Sequence, residues 1–391
     1  MGKWNIYHPA SQHSHRFAEG LYEAGLLSKY DSGVPVKKSE NEWRWLPSNY
    51  KRKVKKVSIP PEYRIHNPVW QGLYQVGSRL VKREPEFRFL VYRMYDLYQA
   101  LKLVLLRPNI SGVICFEDSA YFTFRVAKKL GISTILDAPS VHPAYGLKHG
   151  GYNVRKGVDR FISRKYKEID LADCVICCSK FSADTYIAGG VDPCKVQVNP
   201  LGATVDRGLQ KVDSRDDGPI KFIFAGVMSY RKSIDLILRV VEELGNTIEL
   251  YLVGGSQDPK WIEMANSLSN VRYFGSVSQG ELFTLMSECD CLLLPSRYDA
   301  FGMVVPEAMA SGLAIIVSST AGAKEILDEY PEAGIVVDAE YGSILDSIVH
   351  FRDNPNSLLS SRKAALAASR YYSWDKYRER VAQTIRKLDS R

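Results

Sequence analysis

Short, almost wholly apolar runs recur along the chain. Each is followed by a longer segment whose apolar positions return every three or four residues. Residues 3–8 (KWNIYH), 111–117 (SGVICFE), 133–140 (STILDAPS) and 173–179 (DCVICCS) read as strands. Residues 195–204 (KVQVNPLGAT) read as a strand running into a loop. Residues 16–27 (RFAEGLYEAGLL) and 119–131 (SAYFTFRVAKKLG) read as helices, the second closed by glycine. Residues 207–219 are polar and poor in large apolar side chains, which marks a linker. The alternation then restarts. KFIFAGV, IELYLVGG, VRYFGSV, CLLLPS and LAIIVSS are strands, and IDLILRVVEELG, PKWIEMANSL, GELFTLMSEC and PEAMASG are helices. Strands without a polar face belong to parallel sheets covered on both sides. The expectation is an α/β chain with two doubly wound, Rossmann-like domains. The first spans 1–206 and the second 220–370.

Such sheets bind ligands beyond the carboxyl ends of their strands, so two of them face to face predict a central cleft. The stretch PSRYDAFGMVVPEAMASG, residues 295–312, falls at such an end. CLLLPS is the strand and SRYDAFG the loop after it. Pro306 suits the first position of a helix and Gly312 its end. Asp299 then lies on the loop and Glu307 in the first helical turn. Ionised carboxylates accept hydrogen bonds from hydroxyl pairs, so a ligand with hydroxyls on both sides of a phosphate centre suits the layout. A turn acid and a carboxylate at a helix N-terminus are the plainer reading of the same two residues.

Composition narrows the class. The 391 residues are 45% hydrophobic and 25% charged, an ordinary globular balance. No run of about 18 apolar residues occurs, so no spanning helix is expected. The start, MGKWNIYHPASQHSH, turns polar at once and does not read as a signal peptide. A cytoplasmic protein is expected. Cys174 and Cys177 form a C-x-x-C that no second pair or histidine cluster completes, so buried strand thiols are expected and no metal site. Net charge is +8, but residues 1–200 hold 31 Lys and Arg against 18 Asp and Glu, a net +13. Residues 201–391 carry the compensating −5. The basic stretches are KRKVKK at 51–56 and RLVKREPEFRFLVYRMY at 79–95. The second interleaves arginine with apolar and aromatic residues, as a segment lying on an anionic membrane surface does. A solvated helix with one packed face is the alternative. No nucleic-acid motif accompanies the charge.

The segment PSRYDAFGMVVPEAMASGLAIIVSSTAGAKEIL resembles the nucleotide-sugar site of retaining GT-B glycosyltransferases of family four, the group-one glycosyltransferases. FAGVMSYRKSIDLIL is similar to that family's strand and phosphate-binding lysine loop. LYLVGG, NPLGATVD and ADCVICCSKFSADTY match its style. YYSWDKYRERV resembles its closing helix, which implies that residues 371–391 pack back on the first domain. The resemblance covers most of residues 110–386 and is strongest over 222–325; residues 30–110 match nothing.

The resemblance implies roles. Glu307 would hold ribose hydroxyls, and Asp299 the hydroxyls of the transferred sugar. Backbone amides of Ala300, Phe301 and Gly302 would reach sugar or phosphate. Lys232 would neutralise the diphosphate. The family's arginine five residues before that lysine is Val227 here, with Arg231 as its substitute, and the family's glycine after the lysine is Ser233. The family's first acid is a glutamate and here is Asp299. His142, in APSVHPAY, matches the family's cleft histidine. Ser11 and Gln12 of the first loop would lie near the phosphates. The implied reaction is metal-independent transfer, with retention, of a sugar from a UDP- or GDP-linked donor to a glycan or lipid-linked acceptor in cell-surface polysaccharide or glycolipid synthesis. The family reading is front-face attack, since Asp299 and Glu307 are better used on hydroxyls than in a double displacement. The departures at Val227 and Asp299 also suit a catalytically weak protein that binds a sugar nucleotide, and another enzyme on this fold, such as an epimerase, is a third reading.

Overall fold

The computed structural model describes residues 2–39, 42, 54–80, 84–150, 158–204 and 218–389. Strands β1 (Trp4–His8), β2 (Leu27–Ser32), β5 (Arg64–His66), β6 (Gly112–Phe116), β7 (Ser133–Ala138), β8 (Cys174–Cys177) and β9 (Val196–Val198) form one sheet in the order β5-β2-β1-β6-β7-β8-β9. The short strands β3 (Val36–Lys37) and β4 (Lys55–Lys56) pair with each other. A second sheet runs β12-β11-β10-β13-β14-β15. Its strands are β10 (Ile220–Ala225), β11 (Ile248–Val253), β12 (Val271–Gly275), β13 (Cys291–Leu294), β14 (Ala314–Ser318) and β15 (Gly334–Val337). Every pairing in both sheets is parallel. Cys291–Leu294 and Ala314–Ser318 are buried at every position, as strands covered on both faces must be. The fold is the two-sheet α/β architecture that the apolar runs predict.

In each sheet the strand order reverses beside the first strand. The chain steps outward from β10 to β11 and β12, then returns to place β13 on the other flank of β10. The loops after β10 and β13 therefore leave in opposite directions and open a crevice between them. The loops after β1 and β6 do the same in the first sheet.

Several elements differ from the sequence reading. The first helix is Ser14–Glu23 rather than 16–27, because Gly25 takes a left-handed φ of +72° and Leu27 already starts β2. Residues 30–110 add β5 and the helices Pro68–Leu80 and Glu84–Leu106. The helix after β13 is Val304–Ala310, so Pro306 is its third residue, still within the turn where no N–H partner is needed. The linker at 207–219 lies outside the described residues apart from 218 and 219. So do residues 51–53 of KRKVKK and 81–83 of the 79–95 stretch. Cys174 and Cys177 are buried thiols of β8, neither of them in a disulfide.

The helix Trp374–Asp389 lies on Ser14–Glu23. Gly20 lets it in: a Cβ there would stand 2.8 Å from the Arg378 carbonyl. Arg378 bonds Glu23 at 2.9 Å, and Trp4 Nε1 donates to Asp389 at 3.1 Å. Contacts between the two sheets' surrounds are also direct. Ser179 Oγ donates to the Ala300 carbonyl at 2.5 Å, and the Phe181 amide to Glu325 Oε1 at 2.8 Å.

Helix Glu84–Leu106 is tied to Tyr121–Lys129 by one side chain. Buried Asp96 accepts from the amides of Phe122 at 2.8 Å and Thr123 at 2.9 Å. Asp96→Ala would leave both donors unmet and should cost about 2 kcal/mol of stability, read by denaturant or thermal melting. Unchanged stability would show that the cap is redundant.

Candidate active site

The two crevices meet in one cavity of about 710 Å³. From the first sheet's side it is lined by Gln12, His13, His15, Arg16, Lys55 and Glu117. From the second it is lined by Lys232, Gln279, Asp299, Phe301, Gly302 and Glu307. Residues more than 200 positions apart thus face the same space.

The loop after β13 is held rigidly. The Asp299 amide donates to the Thr320 carbonyl at 3.1 Å, and the Asp299 carbonyl accepts from the Gly322 amide at 2.9 Å. Ala323 donates to the Phe301 carbonyl at 2.6 Å. Gly302 has φ +94°, and a Cβ there would come within 2.7 Å of Leu294. Only glycine suits that turn. The amides of Gly302, Met303 and Val304 find no acceptor among the described residues, and all three residues line the cavity. Ala300 instead faces Ser179 and does not line it.

Lys232 follows β10 in a short 3-10 turn and is buried. Its ammonium pairs with the Asp299 carboxylate. Ser233, which stands where the resemblance puts glycine, takes a left-handed φ of +55°, a conformation costing a residue with a side chain roughly 1 kcal/mol. Burial raises the Asp299 carboxyl, but Lys232 and Arg231 outweigh it and hold it below the ordinary range. Arg231 stands 4.0 Å from Asp299 and donates to the Tyr298 carbonyl at 3.1 Å. It lies behind the wall of the cavity rather than in it. Val227 is half exposed.

Among the described residues Glu307 has no cation in contact. Gln279 Nε2 donates to its Oε1 at 3.2 Å. Burial pushes its carboxyl up to about 7, against the pull of Gln279 and Lys55. Glu117 is buried too; burial raises it against Lys165, whose Nζ stands 3.3 Å away, and Ser140 donates to it at 2.6 Å.

Two residues expected in the cleft are elsewhere. His142 precedes Pro143, which starts the helix Pro143–Lys148, so the imidazole caps that helix, accepting from the Ala144 amide at 3.3 Å. The ring is packed against Tyr166 and Tyr186, each 5.3 Å away between centroids, and burial lowers its basicity. Ser11 is buried, and its carbonyl accepts from the Ser14 amide at 2.9 Å, opening the first helix. Gln12, at φ +35°, is the loop residue that reaches the cavity.

His13 occupies the place that His142 does not. Its Nε2 meets Asp137, at the end of β7, at 3.0 Å. The pair ties the ring of His13 to the carboxyl end of β7. His15 lines the cavity as a neutral ring, since burial, Arg16 and Lys55 lower it to about 3. The sequence signal for His13 is the HPASQHSH loop itself; its partner is 124 positions away.

Comparison with known proteins agrees with this fold. Residues 207–366 match the family described as glycosyl transferases group 1. An uncharacterized glycosyltransferase of Methanocaldococcus jannaschii is 24% identical over 335 residues, covering 78% of this chain and 86% of that protein. The Anabaena HepE structure in complex with UDP superposes with a TM-score of 0.65 at 12% identity, covering 98% of this chain and 100% of that one. WaaG, a glycosyltransferase involved in lipopolysaccharide biosynthesis, gives 0.64 at 14% identity over 98% of this chain and 99% of its own. The chain therefore has the GT-B fold, and its residues 207–366 match the glycosyl transferases group 1 family.

Proposed function

We propose that this cavity transfers a sugar from a nucleotide-diphosphate donor, UDP- or GDP-linked, to a glycan or lipid-linked acceptor, with retention and without a metal. The product belongs to cell-surface polysaccharide or glycolipid synthesis on the cytoplasmic side. The observation that carries the reading is the division of labour among three charged groups in one cavity. Lys232 is a buried cation paired with Asp299, Asp299 is an acid on the same loop system held below its ordinary range, and Glu307 is a separate carboxylate that among the described residues is met by Gln279 and no cation. The UDP complex of HepE and the lipopolysaccharide role of WaaG are properties of those proteins that favour the same class of donor and product here.

In this reading the diphosphate takes Lys232 from Asp299. The freed Asp299 accepts from hydroxyls of the donor sugar, and Glu307 from the ribose pair. As the bond from the anomeric carbon to the phosphate oxygen breaks, charge builds on the diphosphate. Lys232 and the unpaired amides of Gly302 and Met303 stabilise it. The acceptor oxygen bonds the anomeric carbon on the same face, and its proton passes to the departing phosphate oxygen. Double displacement would need an unencumbered carboxylate as nucleophile. Glu117 is engaged by Lys165 and Ser140, and Asp137 by His13. His13, on the cavity wall, is the ring proposed to meet a sugar hydroxyl.

A thermal-shift and hydrolysis screen against nucleotide-sugars should find one donor that stabilises the protein and is slowly hydrolysed. No response to any donor would contradict the proposal. Lys232→Ala should lower turnover by about 10²–10³-fold, and a rate near that of the unmodified protein would remove Lys232 from the mechanism. Glu307 gives a pH signature. Its carboxyl sits at about 7 in the fold against 4.5 ordinarily, so the folded chain holds the proton more tightly than the unfolded one. Stability is therefore lost as pH rises from about 4.5 to about 7. Glu307→Gln should then be more stable at pH 8, by of order 2 kcal/mol, and equal at pH 4. The same change should weaken donor binding about tenfold at pH 8 and flatten its pH dependence. Calorimetry across that range checks both, and a less stable variant with unaltered donor affinity would refute the assignment.

A further inference from the structure

Helix Glu84–Leu106 carries two apolar faces. One, with Val91, Tyr95, Ala100 and Leu103, is buried against its own domain. The other, Leu90, Met94, Leu97, Leu101, Val104 and Leu105, recurs at steps of four and three and stands exposed; Leu101 is 53% and Leu105 78% accessible. A helix lying on a soluble domain normally turns charged residues outward. Here the outward stripe continues into an apolar groove of about 160 Å³ shared with helix Tyr121–Lys129, where Leu97, Leu101 and Val104 meet Phe122 and Val126. No helix among the described residues is long and apolar enough to cross a membrane, so this face is not part of a span.

The rim decides what covers it. Arg125 and Lys129 line the groove directly. Arg93 and Arg164 stand 5.8 and 4.8 Å from the Phe122 ring, and Lys167 5.9 Å from Tyr121. Asp96, the one acid between residues 87 and 106, is buried and occupied by the amides of Phe122 and Thr123. Apolar ridge and cationic rim therefore sit on one surface, and among the described residues no acid lines the groove. A second copy docked symmetrically would set these cations against themselves. An anionic lipid surface satisfies both parts: leucines enter the acyl boundary, and the cations meet phosphate headgroups. The basic, aromatic character that the sequence places at 79–95 thus has its apolar ridge at 90–105, with much of its charge supplied from elements further along the chain.

We propose that the face formed by helices Glu84–Leu106 and Tyr121–Lys129 docks on an anionic lipid bilayer. The proposal goes beyond sugar transfer and holds whatever the donor is.

Sedimentation of the full chain with vesicles tests it without any donor. Vesicles of phosphatidylcholine with about one-third phosphatidylglycerol should bind the protein at physiological salt, and neutral phosphatidylcholine vesicles much less. Leu101→Glu with Leu105→Glu, both exposed positions, should weaken binding about tenfold or more, and so should Arg125→Glu with Lys129→Glu. Melting curves and donor hydrolysis should stay as in the unmodified protein for both pairs. Absence of anionic-vesicle binding would overturn the proposal, as would binding indifferent to both pairs. A concentration-dependent dimer that the leucine pair dissolves, without vesicle binding, would assign the face to a second copy instead.

Discussion

Parallel pairing is the constraint from which the rest follows. Every strand in both sheets ends on the same side, and every connection must cross a face, so helices cover both faces and the strands become uniformly apolar. Polar chemistry is then confined to the strand ends. Because the order reverses beside β1 and again beside β10, the loops part there and leave two crevices. Packing of Trp374–Asp389 onto Ser14–Glu23, and the contacts of Ser179 and Phe181 with Ala300 and Glu325, turn the crevices toward each other. Lys232, Asp299 and Glu307 follow β10 and β13 into the shared cavity.

That cavity concentrates charge at a cost. Asp299 and Lys232 neutralise each other; Glu307 and Glu117 are held above their ordinary range by burial. Ser233 sits in a left-handed conformation beside the lysine. A site selected for stability alone would hold apolar side chains at these positions. The arrangement is understandable as a receptor for a ligand that brings its own hydroxyls and negative charge. In the proposed function, binding would exchange an internal ion pair for one with the diphosphate and load Glu307 with donors.

Much of this was legible in the chain. The strands KFIFAGV, IELYLVGG, CLLLPS and LAIIVSS are runs too apolar to be anything but doubly covered, and the loop between CLLLPS and PEAMASG could be put at a strand end on spacing alone. What failed were features set by distant contacts. HPAY looks like a cleft histidine, but Pro143 starts a helix that turns the His142 ring inward onto Tyr166 and Tyr186. His13 gains its meaning from Asp137, far along the chain. Strand β2 was absorbed into the preceding helix because LSKYDS mixes charged and apolar residues and only the backbone of Gly25 marks the break. The outward stripe of Glu84–Leu106 was hidden for a related reason: its periodicity is helical on both faces, and nothing local says which face is packed.

The central claim is that Lys232 changes partner from Asp299 to the donor's diphosphate. A structure of the protein with an intact, slowly reacting nucleotide-sugar tests it most directly. The account predicts Lys232 Nζ on a diphosphate oxygen, Asp299 on a sugar hydroxyl and both Glu307 oxygens on the ribose. A bound nucleotide that leaves Lys232 on Asp299 and Glu307 on Gln279 alone would contradict it.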